Sequence, residues 1–168
     1  QSPPGSKGLI VLPYFSGERT PIHDPKARGT ILGLDLTHNR GDIFRAFLEG
    51  IAMGTAQVFE TYEAIGQNPK KIMAVGGGTK NNIWMQATSD FSKIDQVVSE
   101  KSTGASYGNA FLAALAVGAV SQRDITRWNP PLSKIKTQHS TLHAEKNKLF
   151  RQLYESSKEI AHAVADST

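Results

Sequence analysis

The chain is predicted to be α/β, with a sheet that contains a parallel crossover unit, on three observations. Lys71–Val75 (KIMAV) is an apolar run that turns through Gly76, Gly77 and Gly78 into a helical stretch beginning near Asn81. A second strand pattern follows at Gln96–Ser99, and after it comes a small-residue helix from about Ala105 to Val120. Strand, helix, strand, helix in this order joins parallel strands, because a crossover is needed to bring the second strand back alongside the first. At 168 residues the chain has the length of one domain.

The elements follow from the sequence in order. Residues 1–8 (QSPPGSKG) are rich in Pro, Gly and Ser and read as a linker or a cut through a longer polypeptide, with the domain expected over 9–168. Leu9–Phe15 is a short apolar run that meets the breakers Gly17 and Pro21, so it reads as a strand feeding a loop. A short strand is expected around Thr30–Leu34 within an otherwise irregular stretch. From Asp42, the residues Ile43, Phe44, Phe47, Leu48, Ile51, Val58, Phe59 and Tyr62 recur at helical spacing as far as about Ala64. Asn39 is placed to cap this helix, and Asp42 to favour its positive end.

GQNP breaks that helix, and KIMAV is expected as a buried strand. The helix after the glycines carries Trp84, Ala87 and Phe91 on one side, and a turn is expected at Ser102–Gly104. Gly104, Gly108, Ala110, Ala113 and Ala114 leave so little bulk that the next helix can approach a sheet or a neighbouring helix closely. Arg123–Ser140 reads as a loop because Pro130 and Pro131 interrupt it. A closing helix is predicted over about Leu142–Ala165, with Leu149, Phe150, Leu153, Ile160 and Val164 as its apolar face.

Composition excludes several classes. A hydrophobic fraction of 39% and a charged fraction of 20% are those of a folded chain, not of a disordered or collagen-like one. The net charge of +4 is scattered rather than striped, so no nucleic-acid partner is expected. Without cysteine there is no disulfide, no thiolate catalysis and no Cys-based zinc site. The longest apolar stretch, Ala110–Val120, is far short of the ~18 residues of a membrane span, and no signal pattern opens the chain. A cytoplasmic protein without a membrane partner is expected.

The sharpest chemical feature is KIMAVGGGTKNNIWMQ. Glycines admit positive φ and a close approach of ligand to backbone, while the N–H groups and dipole of a helix start favour an anion such as phosphate. Lys80 would add charge, and Asn81 and Asn82 would offer amide donors and acceptors. Glycines that merely turn the chain are the equal alternative. The pattern is neither GxGxxG nor GxxxxGK[ST], which argues against a dinucleotide-dependent dehydrogenase and against the common triphosphatase loop.

Glu18 with Arg19 and Asp24 with Arg28 are loop charges that either bind substrate or, more often for such pairs, anchor the loop. His23, His38, His139, His143 and His162 lack metal-ligand spacing and read as surface residues. Glu49, in the middle of the long helix among apolar neighbours, either contacts a loop at the helix surface or, by default, is solvated. Ser16, Ser89 and Ser106 have no nucleophile-elbow context, and no carboxylate stands out as a general base, as would hold for half of an active site.

The order of PYFSGERTP, DPKARGTILGL, DIFRAFLEGIAMG, AVGGGTKNNIWMQATSD and GASYGNAFLAALAVG, over about Leu9–Gly118, resembles the C-terminal domain of the FGGY family of carbohydrate kinases. That resemblance implies one lobe of a ribonuclease H-like, actin-like ATPase fold, a mixed sheet with flanking helices that lacks its first strands here. It implies transfer of the γ-phosphoryl of ATP, with Mg²⁺, to a sugar or sugar-alcohol hydroxyl. Gly77, Gly78 and Asn81 would contact ATP or ADP, with Gly76, Thr79 and Lys80 in the same loop. The long Asp42 helix and the Gly104–Val120 helix would be the layers on the lobe's sheet.

The resemblance further implies that the phosphate-contacting loop, most sugar contacts and the catalytic aspartate belong to an N-terminal lobe absent from this chain. The chain alone is therefore expected to be inactive, and an unpaired sheet edge is expected to favour self-association, a homodimer included. A non-catalytic nucleotide-binding or interaction module is the alternative reading. Ala105–Asn109 departs from the Ala-Leu-Gly-Ala-Ala type of helix start found in xylulokinases, which leaves the sugar open.

Overall fold

The computed structural model describes residues 2–101, 104–138 and 140–167; Gln1, most of the turn expected at Ser102–Gly104, and His139 lie outside them. Strands β1 (Ile10–Leu12) and β2 (Thr30–Leu32) form an antiparallel pair, with Val11 opposite Ile31. Helix α1 (Arg40–Ala64) follows, then β3 (Ile72–Ala74), α2 (Asn82–Ser92) and β4 (Gln96–Ser99). Next come α3 (Ala105–Ala116), a single turn α4 (Ile125–Trp128), β5 (Pro131–Ile135) and α5 (Thr141–Asp166). β3 and β4 are parallel, β5 is antiparallel to β4, and the order β3-β4-β5 makes a mixed sheet.

Asn39 caps α1 as its sequence position predicts. Its Oδ1 accepts from Gly41 N at 2.8 Å, and Asp42 Oδ2 accepts from Asn39 N at 3.0 Å, a reciprocal box. The face that α1 buries keeps part of the expected stripe, with Leu48 buried and Ile43 and Phe47 packed against the core, but Ala46, Ala52, Met53 and Ala56 fill the rest of it, whereas Phe44 and Tyr62 are exposed. Close approach is the cause. A side chain at Gly50 would run into the Val11 carbonyl oxygen, so β1 crosses α1 where α1 has no Cβ.

The core joins β1, α1, α2 and α5 through Ile10, Leu12, Tyr14, Met53, Phe91 and Phe150. Tyr14 meets Phe150 and Tyr154 edge-on, at ring-centroid distances of 6.0 and 5.9 Å. The N-terminal residues read as a linker take part in this packing: Ser6 is fully buried in a 3-10 turn spanning Ser6–Gly8.

Four expectations are corrected. β3 is an edge strand rather than a buried one, and Met73 and Val75 are exposed. The stretch from Arg123 to Ser140 contains α4 and β5; Pro131 is tolerated because it stands first in an edge strand, beside an irregularity at Val98/Ser99. The small-residue face of α3 is uncovered: Phe111 is its one buried residue, and α3 leans on Trp128 through Tyr107 and Phe111 instead of covering the sheet. In α5 the buried stripe is His143, Lys146, Asn147, Phe150, Leu153 and Tyr154, while Leu149, Ile160 and Val164 are exposed.

Candidate functional site

β3 and β4 run parallel, so the loops leaving their carboxyl ends emerge at one edge of the sheet, the place where open α/β sheets bind ligands. After β3 the chain enters a 3-10 turn, Gly77–Lys80, and then α2. The turn is closed from within: Thr79 Oγ1 donates to the Gly76 carbonyl at 2.7 Å, and Asn81 N donates to the Gly78 carbonyl at 3.0 Å.

The three glycines stand there for different reasons. Gly76 has φ 89° and ψ −175°, a conformation essentially reserved for glycine. Gly78 has an ordinary φ, but a Cβ on it would lie 2.7 Å from Cζ3 of the Trp84 ring. Turn geometry and local packing therefore account for both. Gly77 has neither reason: its φ is not positive, and a Cβ built on it meets nothing within 4 Å. The backbone at Gly77 is thus open to approach from outside, and the first donors of the turn have no acceptor within it.

The expectation of free N–H groups at the start of α2 is corrected. Asn81 Oδ1 accepts from Ile83 N and Trp84 N, both at 3.1 Å, so the side chain expected to contact a ligand caps the helix with its oxygen. Its amide nitrogen remains a donor beside the turn. Lys80 is exposed at the end of the turn, and Thr79 is half-buried. On the β4 side, Gly104 (φ 76°) opens α3, and Cβ atoms built on Gly104 or Gly108 likewise meet nothing within 4 Å.

The other candidates serve the fold. Among the described residues Glu18 forms no ion pair with Arg19, nor Asp24 with Arg28; the Arg28 guanidinium donates to the Ala27 carbonyl at 2.9 Å and so anchors the loop. Asp24 is buried and gathers three donors: Tyr154 Oη at 2.8 Å, His162 Nε2 at 2.7 Å and Lys26 N at 3.0 Å. Burial opposes its ionisation, but these bonds prevail and hold its carboxyl down at about 2.

His143 and the side chain of His38 are buried, contrary to the surface reading, and no group of three or more His, Asp or Glu among the described residues could hold a metal ion. Glu49 is likewise not solvated. It is 2% exposed and receives Gly5 N, Ser6 Oγ, Arg45 Nε and Lys146 Nζ. Ser89 is buried against Gln96.

Residues 1–117 match the model of the FGGY family of carbohydrate kinases, C-terminal domain. The chain is 36% identical over 116 residues to the xylulose kinase of Bacillus subtilis, covering 69% of this chain and 23% of that protein. Its fold superposes on the crystal structure of xylulose kinase from Rhodospirillum rubrum with a TM-score of 0.82 and 30% identity, over 96% of this chain and 33% of that one. It superposes on Plasmodium falciparum glycerol kinase with ADP with a TM-score of 0.75 and 27% identity, over 93% of this chain and 31% of that one. The chain thus spans between 23% and 33% of the length of these relatives.

Proposed function

The chain belongs to the FGGY family of carbohydrate kinases, whose C-terminal domain it carries in the actin-like ATPase fold, and from that premise we propose that it is the nucleotide-binding part of an ATP-dependent sugar kinase. The observation that carries this reading is Gly77: a glycine in a turn with no conformational or packing need for one, at the carboxyl ends of two parallel strands. A ligand that comes down onto the backbone there supplies the need.

In this reading Gly76, Gly77, Gly78, Thr79, Lys80 and Asn81 form the nucleotide side of the cleft. The N–H groups of Gly77 and Gly78 and the amide nitrogen of Asn81 are its donors, and the backbone at Gly104 and Gly108, after β4, is likewise open. The related glycerol kinase with ADP makes ATP and ADP the natural ligands. In this reading Mg²⁺ would accompany the phosphates, where it offsets their charge during transfer.

The reaction assigned to the whole protein is γ-phosphoryl transfer to a sugar or sugar-alcohol hydroxyl, which needs positioning and charge stabilisation from both sides of the cleft. Relatives named for xylulose and for glycerol share the fold, so the substrate class is a polyhydroxylated carbon chain. No helix among the described residues is long and apolar enough to cross a membrane.

The test is an amide NMR titration of the chain with Mg·ADP. Shifts centred on residues 76–82 are expected; a well-dispersed spectrum that does not move at saturating nucleotide would defeat the assignment of these residues.

A further inference from the structure

A cavity of about 580 Å³ lies between the PYFSGERTP loop and α1, at a distance in sequence and in lining residues from the glycine turn. That volume falls within the range of small-ligand sites. Its walls include four aromatic rings, Tyr14, Phe15, Phe59 and Tyr62, and Phe15 and Tyr62 remain 63% and 46% exposed. Aromatic faces are negative, and they attract cations laid over them.

The lining contains one charged side chain, Glu18. No Lys, Arg or His nitrogen among the described residues lies within ion-pair distance of it, and one of its oxygens accepts from Thr20 N at 3.0 Å, which fixes the carboxylate in place. Burial and then the field of Glu18 push the Tyr14 phenol up, so the ring beside the carboxylate stays neutral.

Gly54 adds a separate observation. It is a glycine in the interior of α1, where glycine weakens a helix, yet a Cβ on it would meet nothing within 4 Å. Gly50, one turn earlier, is explained by β1; Gly54 is explained by no contact within the chain and lies in the cavity wall. Its absent side chain keeps the space between the rings open.

We propose that this cavity binds a small organic cation, an alkylated ammonium group, with the aromatic rings against its carbons and Glu18 as its counter-ion. A sugar would require several converging donors and acceptors, whereas here the Thr55 and Tyr14 hydroxyls already donate to the Ile51 carbonyl and to Gln57, and the one charge among the rings is a carboxylate without a cationic partner among the described residues. The site shares no residue with the glycine turn, so the inference does not depend on nucleotide binding.

The experiment is an amide NMR titration of the chain with choline and with 3,3-dimethylbutan-1-ol, which has nearly the same shape and no charge. Choline is expected to shift Glu18, Thr20, Gly54 and Thr55 saturably and to bind about two- to thirtyfold more tightly than the alcohol, the span that cation–aromatic contacts support. Glu18→Gln retains an oxygen for Thr20 N and should lower choline binding to the level of the alcohol. Gly54→Leu should fill the space and abolish binding while the spectrum stays dispersed. Equal binding of choline and alcohol, a response to xylitol in place of choline, or no response to any of the three would each overturn the proposal.

Discussion

Lys146 Nζ lies 3.0 Å from Glu49 Oε2, and the two side chains, 5% and 2% exposed, join α5 to α1 inside the protein. Lys146 also donates to the carbonyls of Gly5 and Leu9 at 2.7 and 2.8 Å, while Glu49 receives Gly5 N, Ser6 Oγ and Arg45 Nε. The pair is thus the node at which the N-terminal turn, β1, α1 and α5 meet. Burial works against both charges, yet the Lys146 charge and the donors around it keep the Glu49 carboxyl below its ordinary value.

Removing one partner leaves a charge buried without its counterpart. Lys146→Met should destabilise the fold by about 3–5 kcal/mol, and the double variant Glu49→Leu/Lys146→Met should lose clearly less than the sum of the two single changes. Urea unfolding of the four proteins measures this. Strict additivity would mean that the two residues are not coupled.

The glycine turn separates stability from binding position by position. Gly78→Ala should destabilise by about 1–3 kcal/mol because its Cβ meets the Trp84 ring. Gly76→Ala should destabilise by a similar 1–3 kcal/mol, roughly, through its backbone conformation. Gly77→Ala should leave stability unchanged or raise it by roughly 0.5–1 kcal/mol, yet weaken Mg·ADP by about tenfold or more. Thermal unfolding and calorimetric titration of each variant supply the two readouts. Undiminished affinity in Gly77→Ala would remove the reason for assigning nucleotide to this turn.

These contrasts also show what could be read without coordinates. Local signals sufficed for α1 with its Asn39 cap, for β4 and for the β3–α2–β4 crossover, because caps, breakers and periodicity are short-range in sequence. β5 was hidden because Pro130 and Pro131 suppress a strand pattern that only the edge position beside β4 permits. Glu49 looked solvated because all its partners but Arg45 stand 43 to 97 residues away, and nothing local marks Lys146 as buried. At the candidate site the glycines were legible, but their division was not: Gly78 depends on where the Trp84 ring comes to rest, and Asn81 turned its oxygen to the helix.

Asp24 ties the loop after β1 to α5 and should make stability depend on acid. A carboxylate whose pKa is lower folded than unfolded stabilises the fold above its unfolded value and loses that contribution as pH falls through the folded one. For Asp24 the window runs from the ordinary 3.8 down to about 2. The urea midpoint should fall across this interval, and Asp24→Asn should be less stable at neutral pH with a flatter profile there. Parallel profiles for the two proteins would show that His162 and Tyr154 do not bind the carboxylate in solution.

The free edge of β3 sets the last expectation. Among the described residues β3 pairs with β4 on one side only, and Met73 and Val75 beside that edge are 48% and 62% exposed, with Pro69, Lys70 and Lys71 confined to the approach to the strand. Edges of this kind recruit a neighbouring chain. Self-association of the chain should therefore appear in sedimentation velocity as the concentration is raised, and Met73→Lys should suppress it by placing a charge on the edge without touching the core. A monomer at all concentrations, or association that Met73→Lys leaves intact, would show that β3 is not the contact.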